Sequence, residues 1–77
     1  MAPKPYNGHH CWNCWNVSLW ISNDEGLYNL ACELLQAHKP LHRAVSAMLG
    51  NLEARTPDGA RYTRKAVLET MRGLREG

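Results

Sequence analysis

Residues 23–38 carry the clearest pattern in the chain. Leu27, Leu30, Ala31, Leu34, Leu35 and His38 recur at i, i+3, i+4, i+7, i+8 and i+11, one face of an α-helix. Ser22 with Glu25 three positions on matches a capping box, and Asn23 is an alternative N-cap. Asp24 and Glu25 fall in the first turn, where acidic groups meet the positive end of the helix dipole. Gly26 is a weak spot near the start. Pro40 bars this helix from continuing and suits the first position of the next. Leu41, Ala44, Val45, Met48, Leu49 and Leu52 then form a second stripe. The junction is short, so these two helices are expected to bend sharply and bury their stripes against each other.

Residues 11–22 fit two periods. As a helix, Trp12, Trp15 and Leu19 make one stripe, and Cys14, Val17 and Ile21 an adjacent one. As a strand, Trp15, Val17, Leu19 and Ile21 alternate with polar residues, and Trp20 breaks the alternation. Local β-propensity favours the strand; length and the helices downstream favour the helix, which is the reading adopted. Three Trp within nine residues read as core packing, with Trp20 pointing off the Trp12–Leu19 stripe. Thr56-Pro57-Asp58-Gly59 is a strong turn signal. Thr63 caps a last helix of about 64–75, whose apolar positions, Val67, Leu68, Met71 and Leu74, are fewer and whose other faces are charged. So sparse a stripe predicts a helix on the bundle surface, fraying near Gly73 and Gly77. Met1–Gly8 has Pro3, Pro5 and Asn7-Gly8, the marks of an irregular tail. The expectation is an all-α fold: a small bundle of three to four short helices, with residues 1–9 as tail and 10–77 as one domain.

Size limits what such a bundle can do. Seventy-seven residues hold one core, and 44% apolar content is enough to fill it. So short a chain has little room for a buried catalytic cavity, which favours binding over catalysis. No nucleophile, base and orienting group assemble; His42 and Asp58 read as isolated polar residues, and no cofactor is implied. Three Cys is an odd number, and the first residues lack the apolar core of a signal peptide. With no membrane-length apolar run, the expectation is a cytoplasmic protein with reduced thiols.

The net charge of +2 is too mild to diagnose nucleic-acid binding, but it is unevenly spread. Residues 1–40 balance at −1 and residues 41–77 at +3. Arg61, Arg64, Lys65, Arg72 and Arg75 fit one broad face of the last helix and its approach, and Arg55 lies upstream. Such a face suits an acidic protein surface or phosphates. The expected partner-binding set is Arg61, Arg64, Lys65, Arg72 and Arg75, with Trp20 as an apolar anchor. His10, Cys11 and Cys14 form half a zinc site. Cys32, His38 and His42 are downstream reserves, but none makes a second paired knuckle, so no metal is expected. A Cys-x-x-Cys redox role lacks the βαβ pattern that usually surrounds it.

Residues 6–30, from Tyr6-Asn7-Gly8 through Trp12-Asn13-Cys14-Trp15-Asn16-Val17-Ser18-Leu19-Trp20-Ile21 to Asn23-Asp24-Glu25-Gly26-Leu27-Tyr28, resemble a family of small phage and mobile-element proteins. Its signature reads N-x-x-T-W-N-V-A-L-W-I-x-N-D-E-G-L-Y. The later Thr56-Pro57-Asp58-Gly59 is similar to that family's T-P-D-G turn. The chain departs from the signature at His9-His10-Cys11 and at Cys14. The resemblance implies an accessory protein, of the anti-CRISPR kind, that binds and blocks a host defence complex without catalysis. Nucleic acid, met by the C-terminal basic face, is the alternative partner, and a small zinc protein a further alternative.

Overall fold

The structure, a computed structural model, describes residues 11–76. They form four helices: α1 Trp12–Asn23, α2 Glu25–Ala37, α3 Leu41–Asn51 and α4 Arg64–Glu76. No strand occurs among the described residues, which form a small all-α bundle. The proposed tail of residues 1–9 lies outside them. None of these helices is long and apolar enough to cross a membrane.

Residues 11–22 take the helical alternative, and α1 runs one residue further, to Asn23. This moves the junction with α2. The cap is not Ser22 or Asn23, which are both still inside α1, but Asp24. Asp24 sits in extended backbone, its N–H donates to Trp20 O and its carboxylate accepts from Leu27 N at 2.9 Å. One residue thus ends one helix and starts the next. The glycine at 26 accommodates that cap, since a Cβ there would come within 3.3 Å of Asp24 Oδ1.

Between α2 and α3 the chain turns at His38, Lys39 and Pro40, and Pro40 is the cap residue of α3, one place before the first helical position expected for it. The last carbonyls of a helix need donors from outside it. At the end of α2, Leu34 O accepts from His38 N, and α4 supplies donors to its neighbours. Arg75 donates to Leu35 O at 3.0 Å, His38 O at 2.7 Å and Lys39 O at 2.6 Å. Thr63 caps α4 as expected, its hydroxyl accepting from Ala66 N at 3.2 Å.

The core is built from Cys14, Val17 and Ile21 of α1, Ala31 of α2, Ala44, Val45 and Met48 of α3, Ala60, and Ala66, Val67 and Met71 of α4. Two expectations change here. First, the buried stripe of α1 is Cys14–Val17–Ile21, and the tryptophans flank it: Trp15 and Trp20 are half-buried and Trp12 is 40% exposed. Secondly, α4 is not a peripheral helix. It packs against α1, α2 and α3 and continues through Gly73 to Glu76. Its small residues Ala66 and Thr70 are buried along with Val67 and Met71, so its neighbours approach closely where large side chains are few. Conversely, the leucines of α2 are half-buried, and Ala31 is the one buried residue of that helix.

Met71→Ala is expected to lower unfolding free energy by about 2–5 kcal/mol, the usual cost of emptying a buried methionine site. Urea denaturation followed by circular dichroism measures it. Leu34→Ala, at a half-buried site on the stripe of α2, is expected to cost less.

Candidate functional site

The chain between α3 and α4 makes a small hairpin. Thr56 N donates to Ala60 O at 2.7 Å, Gly59 N to Thr56 O at 2.9 Å, and Arg55 and Arg61 form an isolated antiparallel bridge. Pro57 and Asp58 take the centre of the turn, and Gly59 follows with φ +95°, a backbone that side-chain-bearing residues rarely adopt. The expected turn is therefore present, and its polar groups are aimed at α1.

Three residues of α1 receive it. Asn16 is 1% exposed, and a buried carboxamide needs partners for both ends. Its Oδ1 accepts from the Thr56 hydroxyl at 2.6 Å, and its Nδ2 donates to Asp58 Oδ2 at 2.9 Å. The same Thr56 hydroxyl accepts from Ala60 N at 3.0 Å, closing the hairpin from inside. One turn of α1 further on, Trp20 Nε1 donates to Asp58 Oδ2, also at 2.9 Å. One turn before Asn16, Asn13 pairs with the backbone of Arg61: Arg61 N donates to its Oδ1 and its Nδ2 donates to Arg61 O, both at 2.8 Å. Asp58 is thus not isolated. The two donors hold its carboxyl below the ordinary value of 3.8.

The proposed partner residues separate into two groups. Arg64 is exposed, but its guanidinium donates to Ser46 Oγ and to His42 O, both at 3.0 Å, tying α4 to α3. Arg75 is occupied with the end of α2. Arg61, Lys65 and Arg72 are exposed, and no hydrogen bond or ion pair among the described residues holds their side chains. Trp20 is half-buried and its indole N–H is committed to Asp58. It lines a groove of about 320 Å³ together with Asp24, Leu27, Leu52, Arg55 and Tyr62. Burial, reinforced by Asp24 and Glu53, pushes the Tyr62 phenol above its ordinary 10.0.

The structure also brings Cys11 and Cys14 together. Cys11 is the cap residue of α1, and its sulfur accepts from Cys14 N at 3.2 Å. The two sulfurs are 3.0 Å apart, in hydrogen-bond contact. Contact with the Cys14 side chain, its amide and, more weakly, the charge of Lys65 pull the Cys11 thiol below its ordinary 9.0. Burial and the neighbouring Cys11 and Glu69 push Cys14 up to about 12. His10, the third residue of the zinc alternative, lies outside the described residues. Among those described, no group of three or more His, Cys, Asp and Glu is arranged to hold a metal ion.

Fold and site together define a small helical protein whose first helix clasps the turn leading into its last. Residues 2–75 match a family of unknown function, DUF7249, and the chain belongs to that family. No curated protein and no solved structure matches it.

Asn16→Leu is expected to cost about 1–3 kcal/mol, because it leaves the buried Thr56 hydroxyl without its acceptor. Chemical denaturation measures it. Asp58→Ala tests the acid side of the clasp. A carboxyl with a lowered folded pKa supports the fold fully above its unfolded value and loses that support as pH falls through the folded one. The wild type is expected to melt higher than Asp58→Ala near neutral pH, with the gap narrowing as pH drops below 3.8.

Proposed function

We propose that this chain is a non-enzymatic binding protein of the phage accessory kind, which docks on a host defence complex, such as a CRISPR effector, and blocks it. The observation that carries the reading is the division among the cations of the C-terminal half. Arg64 and Arg75 are hydrogen-bonded within the fold, whereas Arg61, Lys65 and Arg72 are exposed, with no side-chain hydrogen bond or ion pair to another described residue. Lys65 and Arg72 are two turns apart on α4 and share a face. Arg61 is fixed beside α1 by Asn13, and Lys65 lies near enough to Cys11 to lower its pKa. Trp12 lies between Cys11 and Asn13 in the chain and is 40% exposed. Exposed cations together with an exposed tryptophan are a composition suited to an acidic protein surface. The resemblance to phage and mobile-element proteins supplies the host as the source of that surface, and the host cytoplasm as the place of action.

Affinity capture from a bacterial host lysate identifies the partner, and calorimetry with the purified partner then tests the face. Lys65→Glu/Arg72→Glu is expected to keep the parent's helicity and to weaken binding by about 2 kcal/mol. Equal affinity for parent and double variant removes this face from the interface. Retention on duplex DNA that falls steeply with salt would instead reassign the face to phosphates.

A further inference from the structure

The binding reading leaves Cys11 and Cys14 unused, and their arrangement has a chemistry of its own. Cys11 is partly exposed and Cys14 is buried. The extended backbone of Cys11, φ −157° and ψ 157°, turns its side chain back over the first turn of α1. That places its sulfur on the Cys14 amide and 3.0 Å from the Cys14 sulfur. A disulfide needs the sulfurs to close by about 1 Å more, a rotation at two side chains with no change of helix partner. A helix N-terminus, an amide donor and a nearby lysine all favour negative charge on Cys11. Burial, the neighbouring Cys11 and Glu69 of α4 oppose ionisation of the Cys14 thiol.

We propose that Cys11 and Cys14 form a reversible dithiol–disulfide site, with Cys11 as the attacking thiol, Cys14 as the resolving thiol and a small-molecule disulfide as oxidant. The Cys11 thiolate attacks one sulfur of the oxidant RS–SR. The S–S bond breaks, a Cys11–S–S–R mixed disulfide forms and RS⁻ leaves. Cys14 then gives up its proton, and its sulfur attacks the Cys11 sulfur. The Cys11–Cys14 bond forms and a second RS⁻ leaves. In total two protein thiols lose two electrons and two protons, and RS–SR gains them as two RSH. Excess RSH runs the sequence backwards. The partly exposed Cys11 meets the reagent, and the buried Cys14 is screened from it until the mixed disulfide is within reach.

The probe is glutathione, reduced and oxidised, in buffers of graded ratio with a chelator present. After acid quench and alkylation, peptide mass spectrometry assigns each thiol in a Cys32→Ser background, where the variants' helicity is checked by circular dichroism. The parent is expected to lose both remaining thiols together in a single two-electron transition, as an intramolecular Cys11–Cys14 disulfide. Cys14→Ala is expected to stop at one glutathione on Cys11, and Cys11→Ala to keep its Cys14 thiol free. Three results overturn the proposal: glutathione held on Cys11 in the parent without resolution, a Cys14 adduct in folded Cys11→Ala, or purified protein carrying stoichiometric zinc on both sulfurs. None of these readouts involves a binding partner, so the site stands or falls independently of the binding face.

Discussion

The structure turns on one buried carboxamide. Asn16 points inward from α1 at a position where an apolar side chain would be the simpler filling, and its two ends are answered by Thr56 and Asp58. A neutral polar group in that place has little tolerance for displacement, because each lost partner leaves an unsatisfied dipole away from water. This fixes the rotation of α1. With Asn16 facing the turn, Cys14, Val17 and Ile21 face the core, and Trp12 is turned toward solvent. Asn13 and Trp20, one turn either way, extend the same contact along the helix.

That rotation is also where the amino-acid pattern was ambiguous. The stripes Trp12–Trp15–Leu19 and Cys14–Val17–Ile21 have the same spacing, and side-chain size alone favours burying the tryptophans. Their relative placement is decided by a residue outside both stripes, and its partners lie forty residues downstream. The two runs that carry the family resemblance, Trp-Asn-Val and Thr-Pro-Asp-Gly, turn out to be the two halves of this one contact. That pairing was the available signal. The middle helices were legible because their apolar periodicity is local. The centrality of α4 was not, because Ala66 and Thr70 contribute by allowing close approach and carry no hydropathic signature. The α1–α2 junction was misplaced by two residues, because Ser22, Asn23 and Asp24 are all competent caps and only the length of α1 chooses among them.

Charge in the C-terminal half has the same double character. In composition, five cations around α4 look like one surface. In the structure, two of them satisfy main-chain carbonyls of α2 and α3, a use suited to the several donors of a planar guanidinium. Lysine could not replace Arg75, whose donors reach three carbonyls in fixed directions. Of the three cations left over, Arg61 is held to Asn13 and Lys65 lies near Cys11, both at the start of α1, where Trp12 also lies.

The clasp has a kinetic side as well. Helical proteins fold fast because most of their contacts are between near neighbours in the chain. Here the bonds that set the rotation of α1 span sequence separations of 38 to 48 residues. The first helix can form early, but it cannot settle into its final rotation until the hairpin between α3 and α4 has closed. When the chain is made on a ribosome, the last of these partners emerges well after α1 does. Between those two moments the tryptophan-rich helix exists without the turn that orients it.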